Sequence, residues 1–101
     1  MPLKPLEFEI LLALADEPRH GWTLVRDVEE RLGESLLPGN FYRTLRRMLA
    51  DGLIEESHLT DRRRYFQLTE RGERVARAEA RRLARLVRDR RTRRLLKADK
   101  S

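Results

Sequence analysis

The stretch 38–52 constrains the fold more than any other part of this sequence. Its apolar side chains recur at intervals of four, seven and eight residues, which places them on one stripe of a helix: Phe41, Leu45, Met48 and Leu49. The proline at the start of the stretch suits a first helical turn, and the glycine at its end suits a left-handed helix stop. The pattern therefore predicts a short helix with one apolar side.

The opposite side of this helix carries one amide and three guanidinium groups. At 100° per residue the following side chains face away from the apolar stripe: Asn40, Arg43, Arg46 and Arg47. Such groups read base edges and phosphates in a DNA major groove. The alternatives are a solvated face or ion pairs of the arginines with Asp51 and Glu55. Tyr42 lies at the edge of the stripe, where it either packs or donates its hydroxyl to a phosphate.

In the rest of the chain, the spacing of apolar residues distinguishes helical from extended segments. We predict helices over 5–17 and 21–32, strands over 53–58 and 64–68, and a long helix from a Thr69 N-cap to about 96. Residues 19–21 are predicted to be a tight connection. The turn between the two strands ends in three consecutive arginines, which predict phosphate or minor-groove contacts: Arg62, Arg63 and Arg64.

The last helix carries a single thin apolar stripe among many arginines. The stripe consists of Ala76, Ala80, Leu83, Leu86 and Val87. One narrow stripe on a long helix is typical of a seam with another helix, more often that of a second chain. We therefore predict a homodimer interface here.

Composition limits the functions that this chain can have. The 101 residues allow one domain, and their formal charge of +6 favours an acidic partner, nucleic acid first. The charge is uneven, because residues 71–97 hold twelve basic and three acidic side chains, whereas residues 1–34 hold four and eight. Cysteine is absent, which excludes disulfides and thiolate sites and permits a reducing cytoplasm. No apolar run is long enough for a membrane span.

Neither a catalytic constellation nor a metal site is visible in the sequence. We find no nucleophile–base pair, carboxylate dyad or glycine-rich phosphate loop, so no enzymatic activity and no cofactor is predicted. His20 is predicted to start a helix or pack, and His58 to be an exposed strand residue. Two separate histidines without cysteine predict no metal site.

The order of elements predicts a mainly α fold with a small β-hairpin. Three helices, a two-stranded wing and a long C-terminal helix form a winged helix-turn-helix with an added dimerisation helix. We predict a DNA-binding domain over 1–69, a dimerisation helix over 70–97 and a loose tail over 98–101.

The chain resembles the PadR family of transcriptional regulators, of the short type with one C-terminal helix. The resemblance lies in five segments taken in order, at 10–15, 19–22, 38–48, 51–54 and 63–72. It implies a homodimeric DNA-binding regulator, usually a repressor, that binds inverted repeats in promoters. It also implies that a small aromatic ligand bound near the dimer interface releases the DNA in some members.

Three positions depart from the family pattern. Trp22 stands where tyrosine usually follows His-Gly, Leu37 replaces a serine N-cap, and Asn40 replaces the commoner threonine. Trp22 either packs between helices or contributes to a ligand pocket at the dimer interface, because a rigid aromatic stacks well on flat ligands. Asn40 either reads adenine or caps the turn.

The sequence thus predicts a sequence-specific DNA-binding repressor that acts as a dimer. Two other hypotheses remain. One is a winged-helix module that binds another protein, and the other is a non-specific nucleic-acid binder.

Overall fold

The computed structural model describes residues 3–58 and 64–98. These residues form five helices and three strands: α1 (Pro5–Ala13), β1 (Arg19–His20), α2 (Gly21–Leu32), α3 (Pro38–Ala50), β2 (Ile54–His58), β3 (Arg64–Leu68), α4 (Glu70–Arg88) and α5 (Arg90–Ala98). The mainly helical, winged helix-turn-helix class is confirmed. Two features differ from the prediction, because the described sheet has three strands and the C-terminal helix is divided.

The hydrophobic core lies between the first three helices and the sheet. Each helix contributes its predicted apolar side chains, and the buried set is Ile10, Leu11, Ala13, Leu14, Leu24, Val28, Phe41, Leu45, Met48, Leu53, Ile54 and Phe66. Burial of each large member stabilises the fold by about 1.5–3 kcal/mol. The apolar stripe of α3 is therefore fixed against the core, as the sequence predicted.

The first helix is shorter than predicted, since it ends at Ala13 and not at Glu17. The Arg19 Nε–H donates to the Ala13 carbonyl oxygen at 2.9 Å, so a side chain takes the place of the next helical N–H. The sequence pattern could not show this capping, because the donor lies six residues beyond the helix end.

The predicted tight connection at 19–21 is in part a strand. Arg19 and His20 form β1 and pair antiparallel with β3, opposite Phe66 and Tyr65. The strand order is β1-β3-β2, so β3 is the central strand and the wing is attached to the start of α2. A two-residue strand is too short to produce an alternating pattern. The His20 ring packs on Tyr65 with centroids 4.2 Å apart, which confirms its packing role.

The wing hairpin is formed by β2 and β3, with bounds close to the prediction. Ile54 is opposite Leu68, and Glu56 is opposite Phe66. The predicted tip residues Arg62 and Arg63 lie outside the described residues.

The end of α3 is fixed by Gly52, which adopts a left-handed conformation with φ of 74°. The Leu53 N–H donates to the Met48 carbonyl at 3.0 Å, and the Gly52 N–H donates to the Leu49 carbonyl at 3.1 Å. This pair of bonds is the Schellman arrangement that glycine favours. The chain therefore leaves α3 in a fixed direction and enters the wing.

Thr69 joins this helix end to the start of α4. Its Oγ1 accepts the Gly72 N–H at 3.0 Å, which confirms the predicted N-cap, and its hydroxyl donates to the Gly52 carbonyl at 2.6 Å. The Thr69 N–H also donates to the Leu53 carbonyl at 3.2 Å. The end of α3 and the start of α4 thus share one hydrogen-bonded joint.

The prediction of a single C-terminal helix that reaches about residue 96 is wrong. The backbone of Asp89 is extended, with ψ of 133°, and this interrupts the helix. Its Oδ1 accepts the Arg91 N–H at 2.8 Å, and its carbonyl accepts the Arg93 N–H at 3.1 Å. Aspartate in this role caps a new helix and competes with continuation of the old one. Ala98 belongs to α5 and not to the predicted tail, of which residues 99–101 lie outside the described range. No described helix is long and apolar enough to cross a membrane.

Gly72 lies at the closest approach of α4 to the wing. A Cβ atom at this position would fall well inside van der Waals distance of the Leu53 carbonyl oxygen. We expect G72A to lower the free energy of unfolding by about 1–3 kcal/mol, because the helix must move away. Chemical denaturation measures the change.

Gly39 provides the matched control for this substitution. It is helical, and no heavy atom lies within 4 Å of a Cβ built there. G39A should leave stability unchanged or raise it by about 0.5–1 kcal/mol. Equal stability of G72A and the parent chain would contradict the close contact.

Candidate nucleic-acid interface

The turn that leads into α3 is held by Glu29 of α2. Its Oε2 accepts the Leu36 N–H at 2.8 Å. Leu37, at the N-cap, makes no side-chain capping bond, and Pro38 occupies the first helical turn. The Glu29 carboxylate therefore fixes the turn just before α3, whereas no side chain caps the first turn of α3 itself.

The outer side of α3 presents the predicted polar groups to solvent. The exposed side chains are Asn40, Tyr42, Arg43, Arg46 and Arg47. Arg43 Nη1 donates to Asn40 Oδ1 at 3.0 Å, so these two side chains form one hydrogen-bonded unit on the first turns of the helix. The buried stripe behind them fixes the direction in which this surface faces.

A groove of about 280 Å³ separates α3 from the wing. Tyr42, Arg46 and Leu49 form the wall on the α3 side, at intervals of four and three residues. Arg64 and Glu56 line the side of the wing. The structure therefore brings one arginine of the helix and one of the wing to the same groove.

Arg64 is the member of the basic wing that the structure describes. Its Nε lies 3.7 Å from Glu56 Oε2 on the neighbouring strand, and its side chain is 71% exposed. A pair this long and exposed contributes little to stability. The Arg64 guanidinium is thus held loosely at the groove edge and can exchange Glu56 for a phosphate.

Arg47 lies on a different side of α3 from Arg46. It lines a second groove of about 660 Å³, formed with the starts of α1 and α4, where Lys4, Asp51 and Arg71 also lie. Adjacent helical residues diverge by about 100°, so their side chains serve different neighbours. The prediction that the three arginines face away from the core agrees with their exposure, but Arg46 and Arg47 lie at two different grooves.

Tyr42 combines packing with an exposed hydroxyl group. Its ring meets Phe41 edge to face, with centroids 5.4 Å apart, and the residue is 39% exposed. A Cβ on Gly21 would lie 3.6 Å from the Tyr42 hydroxyl oxygen, so the start of α2 abuts this side chain. The ring of Tyr42 therefore packs, while its hydroxyl stays open to donate a hydrogen bond.

Trp22 does not pack in the core of the described chain. It is 68% exposed, and the Arg26 Cζ lies 4.9 Å from the centroid of its ring. The alternative in which Trp22 packs in the core is therefore not realised among the described residues. Its proposed share in a ligand pocket stays a prediction.

The arginines of α3 lack the carboxylate partners that several other arginines of the described chain have. Arg43, Arg46 and Arg47 form no salt bridge with any described residue, and the pairs with Asp51 and Glu55 are not formed. In contrast, salt bridges to nearby carboxylates occupy other arginines: Arg19, Arg31, Arg77, Arg82 and Arg91. The α3 surface therefore keeps its positive charge uncompensated.

The best-formed ion pair lies on α4, away from α3. Arg82 donates to both carboxylate oxygens of Glu79 at 2.8 Å. This hydrogen bonding holds the pKa of Glu79 below its ordinary value and raises that of Arg82. Among the described residues no cluster of three histidine, aspartate or glutamate side chains could hold a metal ion.

The predicted dimer face of α4 is only partly used by its own chain. Ala76 packs against the edge of the core. Leu83 is half-buried, whereas Leu86 and Val87 are 49% and 55% exposed. The apolar stripe thus runs from the subunit core out to solvent.

The model of the PadR-like family of transcriptional regulators matches residues 10–78. The chain belongs to this family. The match includes the end of α1, all of α2 and α3, the wing strands and the first part of α4. It therefore contains every residue that lines the groove between α3 and the wing.

Related proteins agree with this assignment. RosR of H. salinarum superposes with a TM-score of 0.72 at 30% identity, over 95% of this chain and 88% of that chain. A PadR-like transcription factor of Bacteroides fragilis gives a TM-score of 0.66 at 25% identity, over 81% and 85%. An uncharacterised 37.1 kDa protein of transposon TN4556 of Streptomyces fradiae is 38% identical over 77 residues. That match covers 76% of this chain but only 22% of the relative's length.

The hydrogen bond from Leu36 to Glu29 gives a testable prediction for the turn before α3. We expect E29A to lower the free energy of unfolding by about 1–2 kcal/mol, because a half-buried N–H loses its charged acceptor. Thermal or chemical denaturation measures the loss. The adjacent Glu30 is exposed, so E30A should be neutral. A loss of equal size in both variants would show that Glu29 has no special role.

Proposed function

We propose that this PadR-like protein is a sequence-specific DNA-binding repressor that acts as a homodimer on an inverted-repeat operator. The observation that carries this proposal is the groove in which Arg46 of α3 faces Arg64 of the wing. Two separate elements contribute cations to one surface, and the sequence alone predicted both.

The chemistry of α3 fits the DNA major groove. A helix fits within the groove, and arginine donates two parallel hydrogen bonds to guanine. Arg46 has no carboxylate partner among the described residues, so no ion pair must break before it binds. Arg43 and Asn40 are already hydrogen-bonded to one another, which reduces the entropy that they lose on binding. The α3 surface thus supports sequence recognition, with phosphate contacts supplying most of the affinity.

The homodimer is supported by the apolar stripe on α4. Leu86 and Val87 are about half exposed although they continue a stripe that begins in the core. Exposed apolar residues in line on one helix are favoured sites for a second helix. A two-fold pair of chains would present two α3 helices to successive major grooves, which explains why an inverted repeat is the expected operator.

Release of DNA by a small aromatic ligand is the finer part of the proposal. It is implied by the resemblance, and Trp22 was the residue predicted to contribute to such a pocket. Repression follows if the dimer occupies a promoter and excludes polymerase.

Selection of bound duplexes from random DNA tests the whole proposal. We expect an inverted repeat whose half-sites are about one helical turn apart. Binding without a preferred sequence would indicate a non-specific nucleic-acid binder. Failure to retain any duplex would favour a protein-interaction module.

Arg46 should contribute to sequence choice. We expect R46A to weaken binding to the selected duplex by about 1–3 kcal/mol, and to a scrambled duplex by less, if it forms a bidentate base contact. Fluorescence anisotropy on both duplexes measures this. R81A removes the same charge from an exposed position of α4 and should affect both duplexes slightly and equally. If R46A lost equal affinity for the two duplexes, Arg46 would contact only a phosphate. The same comparison applies to R47A.

The dimer face gives a separate prediction. L86E places a charge in the proposed seam and should shift the chain from dimer to monomer in sedimentation equilibrium, because burying an unpaired carboxylate is costly. R85E introduces the same side chain at the neighbouring exposed position and should leave the dimer intact. A dimer that survives L86E unchanged would place the subunit contact elsewhere.

A further inference from the structure

We infer that Trp22 and Arg26 form a second DNA contact, directed at the sugar–phosphate backbone beside the groove between α3 and the wing. This inference rests on the proposed function and adds two residues that the sequence did not assign to DNA.

The start of α2, which carries Trp22, lies next to the groove. It follows Gly21, which lines the groove itself. A Cβ on Gly21 would lie 3.5 Å from Phe66 Cε2 and 3.6 Å from the Tyr42 hydroxyl, so α2 begins in contact with both α3 and β3. The preceding residue, His20, is paired with Tyr65 in the sheet. The start of α2 is therefore attached on two sides to the elements that form the groove.

The exposure of Trp22 is unusual for its size. Tryptophan is highly buried on average, yet this indole is 68% exposed. It is also held in place, because Arg26 one turn later lies over its ring at 4.9 Å. An ordered and exposed aromatic group of this kind is typical of a binding surface.

The polar groups of Trp22 and Arg26 can only donate hydrogen bonds. The indole provides one N–H and the guanidinium provides five, and neither side chain has an oxygen or a lone-pair nitrogen to accept a bond. Arg26 forms no salt bridge with any described residue. Phosphate oxygens are acceptors only and carry negative charge, so they match both groups. The first helix of a helix-turn-helix crosses the DNA backbone when the second enters the major groove, which brings this pair to a phosphate.

Trp22 provides its own probe, because it is the single tryptophan of the chain. We expect quenching of its fluorescence by acrylamide to be efficient in the free protein and to fall when the selected duplex is added to saturation. An indole that is equally accessible with and without bound DNA, or already protected in the free protein, would overturn the inference.

The salt dependence of binding tests Arg26. R26A should reduce the slope of log K against log salt by about 0.9, the value for one phosphate, and weaken binding to selected and scrambled duplexes by the same factor. R31A is the matched control on the same helix, because Arg31 is bound to Glu9 at 2.8 Å and should leave the slope unchanged. A loss confined to the selected duplex would show a base contact instead, and equal slopes for both variants would exclude Arg26.

Substitutions of Trp22 separate its contact from any effect on folding. W22A should weaken binding to both duplexes, whereas W22Y, which keeps an aromatic face and a donor, should restore most of the affinity. Circular dichroism should be unchanged in both, since the side chain is exposed. If the parent chain binds DNA and W22A binds equally well, the inference fails and the proposed function stands. If the parent chain binds no duplex, both fail.

Discussion

Burial of the apolar stripe of α3 is the constraint on which the candidate interface depends. Phe41, Leu45 and Met48 are at most 2% exposed, and each fills the space between α1, α2 and the sheet. Since these side chains fix the helix about its own axis, the opposite side must face solvent. Arg46 is held outward by this packing alone, and no hydrogen bond to the described chain is needed to direct it. The direction of the candidate interface is therefore a consequence of core packing.

Much of the fold could be predicted because its signals are local. The bounds of α2 and both long strands, the Thr69 cap and the Gly52 stop each depend on residues close together in sequence. The errors arise where a distant or polar group decides the outcome. Arg19 caps the end of α1 from six residues away, and β1 exists only because β3 pairs with it. Asp89 did carry a local signal, since aspartate within an arginine-rich helix is a ready N-cap.

The candidate site was predictable in its residue types but not in its geometry. Periodicity placed Arg46 and Arg47 on the outer side of α3, yet it could not show which element lies beside each. Arg46 lies in the groove with the wing and Arg47 in the groove with α1 and α4, and both neighbours come from distant parts of the chain. Trp22 shows the same limit, because the sequence could not decide whether it packs, whereas the position of α2 leaves it exposed.

The joint at Thr69 has a mechanical consequence for the proposed dimer. One side chain ties the end of α3 to the start of α4, and Gly72 lets the α4 backbone lie against Leu53. A stiff joint of this kind would leave the two α3 helices of the dimer little freedom to rotate relative to one another. One inserted base pair rotates a half-site by roughly 35° about the duplex axis. Such a dimer would tolerate base changes within each half-site but would bind poorly when the spacing between the two half-sites changes.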